Sequence, residues 1–415
     1  MLLCLLWSAT AGAQTNVRAW HADGQTWIVW EDAAPQPFTY EVYRSSSPIS
    51  DLGTATFVGR LFYLDWVGAR LRIADQNATW RIPDGSSGTY VIAADEGVFV
   101  YTPHEAVSEY FAVVKEGETA VGPDNTAGPV AQTTDPVQCH WQLHSETPSG
   151  KPFDLYAHWT DGREDPDSGR TDYPVMGSRF TNGTGNIFAI MGTPPDKADD
   201  PLPAVLAMHG GGPIGSFADF GDRFSQLLQI DTVVPDGLFV SLDDNIFVYQ
   251  ELAPDYFTVY PETTRWYGYI ESFNRFEIPA GPPADDAVVV NYTLRRIAFI
   301  TDWLIDEMNV DPMRVSLLGF SGGGGGAGFM TRWMPEKYSA AILPRSAAHG
   351  NDQGVGALHA GQQGAEPADQ HAGRYRPHGL VLADDARERR RTAVHAHRRG
   401  DRGPARNVGG QGAGL

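Results

Sequence analysis

Between Arg314 and Met330 the chain reads Arg-Val-Ser-Leu-Leu-Gly-Phe-Ser-Gly-Gly-Gly-Gly-Gly-Ala-Gly-Phe-Met. Val315 to Leu318 is a short apolar run, which predicts a buried strand. It leads directly into Gly319-Phe320-Ser321-Gly322-Gly323, and Ala327 to Met334 behind it reads as a helix stopped by Pro335. A strand can turn into a helix within so few residues only if side chains are missing where the two cross. The residue at the tip is then held at a strained backbone angle. Strand, G-x-S-x-G turn and helix together form the context of a nucleophile elbow. Ser321 is therefore expected at the carboxyl end of a sheet, with its hydroxyl exposed.

A second glycine run strengthens this reading. The apolar stretch Ala204 to Met208 is followed at once by His209-Gly210-Gly211-Gly212. Acyl transfer develops negative charge on a carbonyl oxygen. Rigid backbone N–H groups around that oxygen stabilise it, and losing one donor costs roughly 3 to 4 kcal/mol. In this arrangement one donor belongs to the residue after the serine, Gly322, and another to the glycine loop, Gly211 or Gly212. Two such motifs, each after a strand and in this order, predict an α/β-hydrolase fold. The expected sheet is mostly parallel with helices on both faces, because strands and helices alternate from Val137 onward. Asn186 to Met191 and Leu238 to Leu242 read as further strands, and Leu294, Ile297, Thr301, Leu304 and Met308 fall on one helical stripe. That helix is expected to lead through Asp311-Pro312 into the Ser321 strand.

At 415 residues the chain is long enough for two domains. Residues 16–132 read as all-β. Val17 to Trp20 and Thr26 to Trp30 are short strands joined through Asp23-Gly24, a hairpin signal. Tyr40 to Arg44, Gly97 to Tyr101 and Tyr110 to Val114 follow at sandwich spacing. This pattern resembles a fibronectin type III domain, although residues 50–95 are longer and less regular than that family's pattern. The exposed aromatics of this domain read either as a polymer-binding patch or as half-buried core. Gly128 to Asp135 reads as a linker. The expected division is a signal peptide over 1–13, a β-sandwich over 14–134, an incomplete α/β-hydrolase domain over 135–349 and a separate tail over 350–415.

The signal peptide rests on the apolar Leu2 to Trp7 and the A-x-A site Ala11-Gly12-Ala13, and it implies a secreted or periplasmic protein. Its removal would take Cys4 and leave Cys139 without an internal disulfide partner. The balance of 51 acidic against 31 basic residues, net −20, argues against nucleic acid or an anionic membrane as partner. No run of eighteen apolar residues is present, so no membrane span is expected. His140, His144 and His158 lack metal-ligand spacing, and no metal or cofactor is expected. The charged residues Arg163, Glu164, Asp165, Asp167 and Asp172 read as a solvated turn rather than a calcium site. Asn77, Asn182 and Asn291 each begin an N-x-T sequon. Trp266, Tyr267, Tyr269 and Phe273 read equally as an acyl pocket or as aromatic core.

Residues 137–348 resemble the secreted α/β-hydrolase esterases that include polyhydroxyalkanoate depolymerases and feruloyl esterases. The likeness rests on His209 to Gly212, on Trp266-Tyr267-Gly268-Tyr269, and on Val310 to Val315 leading into Gly319 to Gly323. It implies hydrolysis of a carboxylic ester, polymeric or not, through an acyl-enzyme on Ser321. Prolyl-oligopeptidase-like peptidases share the elbow, so peptide hydrolysis stays open, as does a catalytically dead binding or structural protein on this scaffold.

A serine nucleophile needs a histidine base and an acid, which in this fold follow the serine in the chain. The residues after Gly350 do not supply them recognisably. They contain no Phe, Trp, Ile, Met or Lys and carry ten Arg against seven acidic residues. Such a composition cannot bury enough apolar surface to offset ordering entropy. It reads as a shifted reading frame, with a basic disordered tail as the alternative. If the tail is genuine, Leu380 to Asp384 is a candidate strand ending in the acid, with His395 or His397 as base. His349 is too close to the preceding strand for that role, and His209 is expected to orient the glycine loop.

Overall fold

The computed structural model describes residues 15–31, 39–62, 80–93, 95–146, 150–160, 184–192, 200–210, 236–253, 256–264, 266–270 and 289–343. Several sequence expectations lie outside them: the signal peptide, Asn77, the charged residues 163–172, Asn182, Gly211, Gly212, Phe273, His349 and the tail with Leu380 to Asp384, His395 and His397.

Nine strands occupy the first third: β1 (Thr15–Ala22), β2 (Gln25–Glu31), β3 (Thr39–Ser45), β4 (Thr56–Phe62), β5 (Arg81–Pro83), β6 (Thr89–Val91), β7 (Glu96–Tyr101), β8 (Ser108–Lys115) and β9 (Thr126–Ala131). Asp23 and Gly24, both with positive φ, close the β1–β2 hairpin, as the right-handed strand twist favours. Seven of the strands form two antiparallel sheets, ordered β1-β2-β7 and β4-β3-β8-β9. Ile28, Trp30 and Phe99 from the first sheet pack against Tyr40, Val42, Phe111 and Val113 from the second. The first four residues of the expected linker, Gly128 to Ala131, belong to β9.

The second region contains β10 (His140–Glu146), β11 (Pro152–Thr160), β12 (Thr184–Gly192), β13 (Leu202–Met208), β14 (Leu238–Ser241), β15 (Asn245–Ala253), β16 (Tyr256–Thr263), β17 (Tyr269–Ile270) and β18 (Val289–Val290). Helix α1 (Tyr292–Glu307), β19 (Val310–Gly319), α2 (Gly322–Trp333) and β20 (Ala340–Ile342) follow. Seven of these strands make one sheet, ordered β10-β11-β12-β14-β13-β19-β20. Among the described residues β15 pairs with β16, and β17 with β18, as separate ribbons.

One expectation about the sheet is corrected. Among the described residues it is mixed rather than mostly parallel: β10, β11, β12 and β14 pair antiparallel, and β14, β13, β19 and β20 pair in parallel. Among the described residues α1 and α2 share one face, where Leu294, Ile297, Leu304, Ala327 and Met330 pack with Phe188, Ile190, Leu206 and Val240. On the opposite face Val205, Ala207, Phe239 and Leu318 belong to one apolar cluster with Leu155, Trp159 and Ile187, which continues to Trp27, Val29, Val98 and Val100 of the β1-β2-β7 sheet.

The three-stranded sheet is thus a middle layer, covered on both sides. This explains why β2 is buried at every residue from Gln25 to Trp30, whereas β3 alternates, with Tyr40 and Val42 buried and their neighbours less so. The long 50–95 stretch supplies the rest of the junction. Its β5–β6 hairpin docks on β10: Arg81 N–H donates to Gln142 Oε1 (2.9 Å), and Gln142 Nε2 donates to the Arg81 carbonyl (2.9 Å). Trp159 of β11 meets Trp27 and Trp80 edge-on, each at 5.0 Å. Each apolar side chain fully buried there contributes roughly 1.5–3 kcal/mol.

Two local boundaries also differ. β19 starts at Val310, so Asp311-Pro312 lies within it rather than before it. α2 starts at Gly322, five residues before the expected Ala327. Glycine is a poor helix former, costing about 1 kcal/mol per residue relative to Ala, so tertiary packing overrides propensity here.

Candidate active site

β19 ends at Gly319, α2 begins at Gly322, and Ser321 stands between them with φ +53° and ψ −111°. A left-handed φ at a residue with a Cβ costs of order 1–3 kcal/mol and persists only where the surroundings enforce it. Here they do. A Cβ on Gly319 would collide with the Gly323 backbone, and one on Gly323 would collide with the carbonyls of Met208 and His209. The strand end, the helix start and the end of β13 therefore interlock through backbone alone. Phe320 N–H donates to the Met208 carbonyl (3.1 Å), which ties the elbow to β13. Ser321 itself is exposed.

Gly210 lies beside the serine: a Cβ placed on it would be 3.5 Å from Ser321 Cβ. Gly323 N–H and Gly324 N–H donate to the carbonyls of Phe320 and Ser321. Gly322 N–H, the first of the helix, has no intrahelical acceptor to use and sits at the positive end of the helix dipole. Of the expected oxyanion donors, Gly322 is thus adjacent to Ser321 by construction. Gly211 and Gly212 follow Gly210 directly and lie outside the described residues. The site sits where strand order reverses, since β13 is flanked by β14 on one side and β19 on the other. In open α/β sheets ligands bind in the crevice at that reversal.

His209 is 2% exposed, and both ring nitrogens are engaged. Asp244 N–H donates to Nε2 (3.3 Å), which leaves the ring proton on Nδ1, bonded to the Gly210 carbonyl (2.8 Å). Asp243 Oδ1 lies 3.9 Å from Nε2, so His209 is held within a buried polar cluster at the start of the glycine run. Asp244 is 1% exposed and accepts from Trp266 N–H (2.9 Å), Thr264 N–H (3.2 Å) and Thr264 Oγ1. Burial pushes its carboxyl up to about 7, against the opposing effects of those donors and of the Arg296 charge. Arg296, also buried, donates to Asn186 Oδ1 (2.7 Å) and to the Asp243 carbonyl, and so ties α1 to β12 and to the end of β14.

The other described histidines are elsewhere. His158 is fully buried, and burial, then Arg296 and His140, hold its pKa well below the ordinary value. His140 lies at the junction between the sheets, with its pKa lowered to about 4 by burial. His144 does pair with Asp154 (3.1 Å), but on edge strand β10. Five strand spacings separate β10 from β19, roughly 24 Å. His21 bonds Thr26 and Thr133 within the sandwich region, and the exposed His104 follows β7 there. Among the described residues Ser321, the expected nucleophile, thus stands beside Gly322, the expected oxyanion donor, and His21, His104, His140, His144 and His158 lie in other elements or loops.

Trp266 is 1% exposed and belongs to the core rather than to an acyl pocket. Tyr267 is half-buried with its ring 5.3 Å from Phe329, and Tyr269 lies in β17. Asn291 precedes α1, and its Oδ1 accepts from Arg295 Nε (2.8 Å). Cys139 is a free, buried thiol. Among the described residues no group of three metal-ligating side chains occurs, and no helix is long and apolar enough to cross a membrane. Sequence reasoning missed Asp244. Its only signal was the Asp-Asp pair directly after an apolar strand.

No family model matches the chain, and no curated protein matches it. Solved structures do. An S-formylglutathione hydrolase from Agrobacterium tumefaciens is 14% identical over 49% of this chain and 60% of its own, with a TM-score of 0.29. A glucuronoyl esterase from Solibacter usitatus is 13% identical over 50% of this chain and 51% of its own, with a TM-score of 0.29. A ferulic acid esterase is 13% identical over 49% of this chain and 61% of its own, also with a TM-score of 0.29. The chain thus spans between half and three fifths of the length of these proteins. At these TM-scores the likeness decides nothing about this chain, whose site is read from its own residues.

Proposed function

We propose that the chain is a secreted serine hydrolase that cleaves carboxylic esters through an acyl-enzyme on Ser321. The observation that carries this reading is the left-handed backbone of an exposed serine, locked between a parallel strand and a helix by glycines that no larger residue can replace. Ser321 Oγ attacks the ester carbonyl carbon, and its proton passes to a base. The negative oxygen is held by Gly322 N–H and by the amides of Gly211 or Gly212. Collapse of the tetrahedral species expels the alcohol, and water then releases the acid. The base and its acid are assigned to residues outside the described set.

The same proposal divides the chain into a fibronectin-type-III-like sandwich over 14–134 and an α/β-hydrolase domain over 135–349. The sheet orders β1-β2-β7 and β4-β3-β8-β9 support the first part. The parallel run β14-β13-β19-β20 with the Ser321 crossing supports the second. The test is a serine-directed fluorophosphonate with peptide mapping, beside hydrolysis of short p-nitrophenyl esters. Label on Ser321, lost together with all turnover in Ser321→Ala, is the expected result. Undiminished labelling of Ser321→Ala would remove the assignment.

A further inference from the structure

Trp266 is the second residue of this site with a strained backbone. Its φ is +62°, a value that a bulky residue adopts only as an outlier. Its surroundings enforce the strain from three directions. Its own N–H is held by the buried Asp244 carboxylate, which also takes both donors of Thr264. Its indole N–H donates to the His209 carbonyl (2.9 Å), and its ring stands edge-on to the His209 ring at 4.7 Å. Its Cβ presses on α2 at Gly326, where any side chain would overlap it. The next residue reaches α1: the Tyr267 carbonyl accepts from Thr293 N–H (2.9 Å) and Leu294 N–H (3.4 Å).

These contacts form a closed loop through the structure. Asp244, between β14 and β15, holds Thr264 and Trp266. Trp266 grips the carbonyl of His209, at the end of β13. His209 in turn receives the Asp244 N–H and holds the Gly210 carbonyl. We propose that Asp244 and Trp266 act as a positioning latch, fixing the backbone of His209 and Gly210 against the Ser321 helix. Glycine has the largest conformational freedom of any residue, so Gly210 beside Ser321 does not hold one shape unaided. Oxyanion donors are effective only when held within about half an ångström of the productive geometry. The latch supplies a constraint at the entry to the glycine run, through the His209 carbonyl and ring.

The consequence for turnover rests on the serine hydrolase reading, whereas the mechanical claim does not. Trp266→Phe removes the indole N–H and keeps an aromatic ring. Trp303→Phe is the matched control, because Trp303 is also buried and its indole donates a bond of the same length, 2.9 Å, to Gln138. Amide exchange by mass spectrometry should rise about tenfold in peptides covering 203–210 for Trp266→Phe, with β11 and β12 unchanged. Trp303→Phe should leave 203–210 as in the wild type. Thr264→Val, which deletes one donor to Asp244 at nearly constant volume, should give a smaller rise at the same peptides and serves if Trp266→Phe does not fold.

Fluorophosphonate labelling of Ser321 should slow about tenfold in Trp266→Phe, with the loss in the inactivation rate constant and not in the inhibition constant. Exchange at 203–210 that is the same in the wild type, Trp266→Phe and Thr264→Val would overturn the latch. Wild-type protein that takes no label while the exchange difference persists would uphold the latch and overturn the hydrolase reading instead.

Discussion

The two faces of the seven-stranded sheet are built from different chemistry. The face under α1 and α2 mixes apolar side chains with a bonded polar set: Asp244, His209, Arg296, Asn186 and Thr264. The opposite face is mainly aromatic and apolar, with Trp27 and Trp80 each meeting Trp159 edge-on, His140 beside Trp27, and the buried Gln25 and Gln142 bonded at the same junction. Buried polar groups specify position because each has few geometries that satisfy it, and an unmet one costs about 1–3 kcal/mol. Apolar burial stabilises without direction. The first face holds the elements around Ser321 in register. The second joins the two regions into one packed body, which is unlike the loose contact usual between domains.

The contrast can be broken in several ways, taken here from the largest effect down. Trp159→Ala removes the centre of the aromatic junction and should cost about 4 kcal/mol, read as a fall in denaturant midpoint. The loss should fall on both regions together. A sandwich region that melts unchanged would show the junction to be a contact between independent domains.

Titration should separate the faces next. Asp244 has a folded pKa of about 7 against an ordinary 3.8, so it contributes stability below pH 4 that is lost as pH rises towards 7. The span is on the order of 4 kcal/mol. His140 has a folded pKa of about 4 against 6.5. Asp23, 3.7 Å away, would favour the charged ring, but it is beyond hydrogen-bond reach and desolvation prevails. His140 therefore contributes stability above pH 6.5 that is lost as pH falls through 4, on the order of 3 kcal/mol. The two slopes oppose each other across the same window. Asp244→Asn should make stability rise more steeply with pH between 4 and 7, and His140→Gln should do the reverse. Unfolding measured at pH 4, 5, 6 and 7 decides it, and parallel curves for both variants would refute both assignments.

The smallest effect concerns the hairpin that docks on β10. Gln142→Ala leaves Arg81 N–H and its carbonyl without their partner and should cost about 2 kcal/mol. Labelling of Ser321 should be unaffected, because the loss lies on the edge strand far from the elbow. A variant that loses labelling without losing stability would link the faces more closely than their chemistry suggests.

What was legible in the sequence was local. Gly319 and Gly323 announce a backbone crossing because no side chain fits there. The stripe Leu294, Ile297, Thr301, Leu304 and Met308 announces a helix, and these residues are buried in α1 or just after its end. The continuous apolar runs Trp27 to Trp30 and Val98 to Tyr101 already carried the signal of strands covered on both faces, although not what covers them. The early start of α2 was illegible, because five glycines argue against a helix by propensity, and only packing on Met208 and Trp266 shows why Gly323 and Gly326 must be glycine. Strand direction was illegible too. Alternating strands and helices suggest a parallel sheet, but β10, β11 and β12 pair antiparallel.

The sequence by itself therefore determined the sharp strand-to-helix turn at Ser321, the apolar strand before His209, the helix through Leu294 and Leu304 and the acidic balance of the chain. Each follows from neighbouring residues whose steric or electrostatic demands act over a few bonds. Only the tertiary structure decided that Asp244 meets Trp266, that Trp266 grips His209, and that Trp27 meets Trp159. These partners stand 22, 57 and 132 positions apart. No periodicity spans such distances. They meet only because burial of apolar surface brings whole elements together, and buried polar groups then select the one arrangement in which they are satisfied.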